Sequence, residues 1–179
     1  MNRMNSSERR RIVGLALVGL FMPVMAFAAA PPVVDSGTGA PNARTVGRIT
    51  IAGVGQNINV RAFRWGATTP GGTPGKATFA EAYVVKAVDN VSAPLMLRLA
   101  QNNTLSSVVI EIFTPGTTTV MATYELTDAR VLVQTNADPG RSSSSGAQPL
   151  EEVGFSYRRV RITAGGSTGC YDVIGNVAC

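Results

Sequence analysis

From Arg44 onward the chain is written in short runs of β-branched and aromatic residues that alternate with polar ones, each run closed by turn-forming residues. Successive side chains of an extended strand point to opposite faces, so this period of two commits the segment to half-buried strands. Val46 to Ala52 and Ile58 to Trp65 form a first predicted pair across the turn Gly53-Val54-Gly55-Gln56-Asn57, and Gly66 to Gly75 reads as a loop. In the third run Phe79, Glu81, Tyr83 and Val85 alternate with Ala82, Val84, Lys86 and Val88. Ser107 to Phe113 and a partner carrying Val120, Ala122, Tyr124 and Leu126 on one face make a hairpin around Thr114-Pro115-Gly116-Thr117. Val131 to Thr135 is a further strand, or the same one after a kink at Asp128. Asn136 to Gln148 is a polar loop, and Glu152 to Thr163 is the last long strand.

One segment carries helical signals. Ser92 is a candidate N-cap, Pro94 fits a first helical turn, and Leu95 to Gln101 are strong helix formers ended by Asn102-Asn103. Leu95 and Leu99 lie one turn apart and can plug a core. Several strands, one short helix and no βαβ alternation make the chain mainly β, a small closed β-barrel or a sandwich.

The N-terminus follows a different grammar. Arg3, Arg9, Arg10 and Arg11 precede an uncharged stretch from Ile12 to Ala30 that ends in Ala26-Phe27-Ala28. A basic start, an apolar middle and a small-residue exit predict a signal peptide over residues 1–28. The rival is an uncleaved anchor; Gly14, Gly19, Pro23 and the Ala-x-Ala site favour cleavage. Arg9-Arg10-Arg11 admits either twin-arginine export of a folded chain or an ordinary Arg-rich leader. Residues 29–43, rich in Pro, Gly and small polar side chains, read as a flexible lead-in to a domain over 44–163. Removing the leader takes away four arginines and one glutamate, leaving 12 basic and 10 acidic residues and a net charge of +2. With no basic stripe and few aromatics, nucleic acid is rejected as a partner, and the membrane enters only through the leader. Charged residues make up only 15% of the chain, which suits a surface covered by copies of itself.

The tail, residues 164–179, holds both cysteines, Cys170 and Cys179. In an exported chain a disulfide is the leading reading, within one subunit or between two. Two thiols do not fill a metal site, and the chain has no histidine. That absence also removes the commonest general base and every Ser-His or Cys-His pair. Glu151 and Glu152 are adjacent on a strand and face opposite ways. Glu81, Glu111 and Glu125 read as the wet side of a sheet. Gly71-Gly72-Thr73-Pro74-Gly75-Lys76-Ala77 fails as a phosphate loop, because position 70 is Pro and position 77 is Ala. No catalytic, metal-binding or cofactor-binding residue is expected.

An ordered set of motifs resembles the Hcp family, the tube proteins of type VI secretion. Phe63-Arg64-Trp65-Gly66 matches its aromatic-x-Trp-Gly strand end, and Gly75-Lys76-Ala77-Thr78-Phe79 its Gly-Lys-x-x-Phe entry. Lys86, Asp89, Ser92, Pro94 and Leu95 match its junction into a single helix, with Ala93 as an extra residue. Val108-Val109-Ile110 and Tyr124 to Val131 follow in order. Pro149, Leu150, Glu152 and Val153 open its closing strand, which runs to Val160. The resemblance implies a closed barrel with one helix, copies of which form hexameric rings that stack into a hollow tube, with secretion-apparatus proteins or effectors as further partners. It carries no active site and no cofactor. Three features depart from the family pattern: the leader, the short Gly53 to Asn57 connection where many members have a long stacking excursion, and the cysteine-bearing tail. Together they point to assembly in the periplasm or outside the cell. The alternative is a monomeric exported binding or adaptor module.

Overall fold

The computed structural model describes residues 45–69, 77–137 and 148–179. The expected leader and lead-in lie outside these residues, as do Gly75, Lys76 and most of the polar loop. In chain order, β1 (Gly47–Ile51) turns through Gly53, at φ 70°, into β2 (Gly55–Arg64). A short ribbon pairs β3 (Ala67–Thr68) with β4 (Thr78–Phe79). Then come β5 (Ala82–Ala87), the helix α1 (Ser92–Ala100), β6 (Leu105–Phe113) and the 17-residue β7 (Val120–Asn136). The chain ends in β8 (Leu150–Ser156), β9 (Arg159–Ala164), β10 (Ser167–Asp172) and β11 (Val177–Ala178).

Six strands close on themselves. The antiparallel order β7-β6-β1-β2-β5-β8 is completed by pairing of β8 back onto β7. A closed ring of strands has no free edge within it, and its inward side chains fill the interior. Ile49, Val60, Val84, Val108, Ile110, Leu126, Val153 and Phe155 are each 0–1% exposed. They are the inward half of the alternations read from the sequence. Burying each such side chain contributes roughly 1.5–3 kcal/mol. Leu95, also fully buried, carries α1 into this core while Leu99 packs against it.

β7 and its neighbours explain the length of the last segments. One edge of β7 takes β6 from Val120 to Ala129. Its other edge takes β9 from Ala122 to Thr127 and β8 from Arg130 to Asn136. Between these stretches Asp128 adopts φ 51°, and the ladder shifts between Val131 and Val133. Such a bulge turns the strand so that one half serves the barrel and the other a protruding sheet. β7 is thus one continuous strand bent at Asp128.

Four expectations need correction. The last long strand is interrupted at Tyr157–Arg158, where β8 leaves toward β5 and β9 toward β10. Phe79 belongs to a separate ribbon, and the third strand begins at Ala82. Asn136 is the end of β7 and no part of the loop. Ser92 is the first helical residue; the N-cap position is Val91, with no side-chain cap, because the Ser92 hydroxyl is held from other directions. The tail that holds the cysteine pair continues the sheet: Gly165 and Gly166, at φ 55° and 80°, form the tight turn between β9 and β10.

Candidate functional site

The expected residues gather at the two ends of the barrel. At the helix end Lys86 is 0% exposed, although it shares the inward face of β5 with Val84. Its ammonium lies 2.7 Å from Glu151 and 2.8 Å from Asp89, and it donates to the carbonyl of Ala87 at 2.8 Å. Ser92 donates its hydroxyl to Glu151 at 2.7 Å and accepts the backbone N–H of Asp89 at 3.0 Å. Gln134 donates to Glu151 at 2.8 Å and to the Ser92 carbonyl at 3.0 Å. Burial pushes the Glu151 carboxyl up, but hydrogen bonds from Lys86, Gln134 and Ser92, helped by the lysine charge, outweigh it and hold it below its ordinary value. This network ties β5, α1, β7 and β8 together. Lys86 and Glu151 are buried within it, while Asp89 stays partly exposed at its rim.

The opposite end is plugged by aromatic rings. Phe63 lies 4.7 Å from Tyr124, Trp65 lies 5.6 Å from Tyr124 and 6.2 Å from Phe79, and Phe79 stacks on Tyr171 at 4.8 Å. These spacings lie in the attractive range for tilted and offset rings. The indole of Trp65 donates to the Tyr157 hydroxyl at 2.6 Å, which donates to the Ala80 carbonyl at 2.7 Å. Burial pushes the Tyr157 phenol up to about 12, the Trp65 hydrogen bond opposes this, and the Glu81 charge reinforces it. Gly66 accepts the Ala80 N–H at 2.9 Å, which fixes the base of the ribbon. Phe63, Trp65, Gly66 and Phe79 therefore form one unit, while their motif neighbours Gly75 and Lys76 lie outside the described residues.

Pro149 accepts the Val88 N–H at 2.8 Å, Leu150 opens β8, and Val153 is buried in the core. Glu152 points away from the network to Arg64, at 3.0 Å, whose guanidinium sits 3.8 Å over the Tyr83 ring. Glu151 and Glu152 face opposite ways, as their adjacency required. The family motif selects Glu152, yet Glu151 and Gln134 are the residues that hold Lys86 and Ser92. The available signal was Lys86 itself, a charge in the apolar phase of its strand.

Three further acids are also paired. Glu111 pairs across the sheet with Arg48, whose hydrogen bond holds its carboxyl low, and Glu125 pairs with Arg161 at 3.3 Å. Asp172 is held low, first by the Gly175 N–H and then, against the cost of burial, by Arg159 and Arg158. Cys170 and Cys179 are bonded within one chain, their Cα atoms 5.3 Å apart.

A family model described as type VI secretion system effector, Hcp, matches residues 37–163, which is most of the chain. The chain belongs to the Hcp family. Solved structures agree with this Hcp assignment in fold. A structure described as a type six secretion system protein aligns with TM-score 0.62 at 23% identity, covering 74% of this chain and 98% of that one. Hcp1 from Salmonella typhimurium aligns with TM-score 0.61 at 20% identity, covering 73% and 96%. A type VI secretion system effector from Yersinia pestis aligns with TM-score 0.58 at 19% identity, covering 70% and 98%. At these identities the likeness shows the fold alone. No curated relative matches the sequence.

Proposed function

We propose that this Hcp-family protein is a structural subunit that leaves the cytoplasm by its cleaved leader, closes into hexameric rings and stacks them into a hollow tube, without catalysing a reaction. The family match across the barrel is the observation that supports this reading most directly. The surface agrees with it. Met96 and Leu97 are exposed on α1, Leu132 on the outer face of β7, and Val120 and Met121 at the β6–β7 hairpin, so separate faces each present apolar side chains. A heterologous ring that also stacks needs several such faces at once. The connection Ala52–Val54 is short, so stacking falls to the helix end, where Gly53, Pro94 and Leu97 line an open depression of about 380 Å³.

Sedimentation and negative-stain microscopy of purified protein lacking residues 1–28 test this directly. Rings of about 80–100 kDa and their stacks are expected, on the order of six copies of a ~15 kDa mature chain. A monodisperse monomer at high micromolar concentration would instead leave the adaptor reading standing.

A further inference from the structure

Strand β10 lies one strand in from the edge of the protruding sheet, and among the described residues its outward side is paired only with the two-residue edge strand β11. Cys179 N–H donates to the Cys170 carbonyl at 3.2 Å. In an antiparallel ladder successive residues direct their backbone polar groups to alternate sides. Thr168, Cys170 and Asp172 therefore face the β11 side, and Gly169 and Tyr171 face β9. The 3.0 Å approach of the Thr163 and Thr168 hydroxyls fits this assignment, because side chains come closest at the pairs that share no backbone bond. With β11 in place, Cys170 and Asp172 are covered, and among the described residues only Thr168 presents an open N–H and carbonyl. Without β11, three outward residues in a row would be open. Such an edge is a template for another strand.

Side-chain packing does little to hold β11. Val177 is 56% exposed and Ile174, in the preceding loop, 73% exposed. Two hydrogen bonds hold the turn before it, Tyr171 hydroxyl to Asn176 at 2.6 Å and Gly175 N–H to Asp172 at 2.7 Å, and the covalent link between Cys170 and Cys179 fastens its far end. We infer that this disulfide is a redox latch on a self-association edge: its reduction releases β11 and lets β10 pair with β10 of a second copy. The occupant follows from symmetry. An antiparallel pair centred on Cys170 sets Thr168 opposite Asp172 on both sides, so no like charges face each other, and one strand serves both partners about a two-fold axis. The segment Ser167-Thr168-Gly169-Cys170-Tyr171 carries no charge of its own.

The chemistry needs a dithiol as reductant. Its thiolate attacks the sulfur of Cys179, the more exposed cysteine, and the Cys170–Cys179 bond breaks as a mixed disulfide forms. Cys170 leaves as a thiolate and takes a proton. The second thiol then closes on the first, freeing Cys179 as a thiol, so two electrons pass from the dithiol, which departs as a cyclic disulfide.

The test compares mature oxidised protein with protein in dithiothreitol and with the Cys170→Ser/Cys179→Ser variant, each also carrying Thr168→Pro. Proline at 168 removes an outward N–H without breaking a bond to β9. In the Thr168→Pro background, amide exchange over residues 170–179 should rise roughly a hundredfold on reduction, the factor a closed ten-residue loop contributes. The near-ultraviolet signal of Trp65 should stay unchanged. With Thr168 intact, reduction should add an association step to whatever assembly the oxidised protein already shows, and Thr168→Pro should remove that step alone. Unchanged exchange after reduction, loss of the Trp65 signal, or added association that survives Thr168→Pro would each overturn the latch.

Discussion

Replacing Lys86 with methionine removes one charge from a site that holds two acids. The methionine fills much of the same volume, so the dominant effect is electrostatic. Glu151, 5% exposed, keeps the Ser92 hydroxyl and the Gln134 amide as donors. Leaving a buried charge without its partner costs about 3–5 kcal/mol, against about 0.2–1 kcal/mol for an exposed pair such as Arg161–Glu125. Domain stability is itself of order 5–15 kcal/mol, so Lys86→Met should lower the urea midpoint by about 2 M at a typical slope. Glu151→Gln in the same chain removes the stranded charge, and the double variant should be more stable than the sum of the singles implies by about 1–3 kcal/mol. Acid gives an independent check. The folded carboxyl lies below the ordinary glutamate value of 4.5, so its contribution is fully present above that pH and is lost as pH falls through the lower folded value. Urea titrations of the wild type and both singles at pH 7 and at descending pH measure all of this. Additivity within about 0.5 kcal/mol, or a Lys86→Met loss below about 1 kcal/mol, would show that the network does not hold the helix to the barrel.

Three further outcomes are expected. Tyr157, with its phenol pushed up to about 12, should stay protonated past the ordinary tyrosine value of about 10, and the stability it contributes should be full below pH ~10 and fall as pH rises toward the folded value; an ultraviolet titration difference between wild type and Tyr157→Phe that is complete near pH ~10 would contradict this. Gly47→Ala should disrupt the β1–β6 ladder, because a Cβ there would meet the Glu111 carbonyl oxygen at 2.2 Å, whereas Gly169→Ala, with nothing within 4 Å, should leave the thermal midpoint nearly unchanged. Leu97→Asp, on the exposed face of α1, should alter stability by no more than about 0.5 kcal/mol yet abolish stacking, read by sedimentation; full-length stacks from this variant would remove α1 from the proposed contact.

Alternation in the sequence was enough to fix most of the barrel, because a strand with one buried face must place apolar side chains at every second residue. Ile49 with Ile51, Val108 with Ile110, and Ala122 with Leu126 are buried where that period puts them. Leu95, one turn from Leu99, likewise announced its helix. The β9–β10 hairpin is silent in the sequence because Ser167, Thr168 and Gly169 bury nothing and show no apolar phase. Only the Gly165-Gly166 pair signalled a turn there. Glu151 was hidden for a different reason. Adjacency told that Glu151 and Glu152 face opposite ways, but not which faces inward.

Local chemistry along the chain thus determined the class of fold, the helix and the absence of histidine-based catalysis, since each depends on residue types and short spacings. Tertiary structure alone decided what the long-range partners are. The barrel closes because β7 bends at Asp128 and offers one edge to both β8 and β9, and Lys86 can be buried because Glu151, which lies 65 residues further along the chain, arrives beside it. Which distant groups meet depends on the register of whole strands, and register is set by the sum of all their pairings.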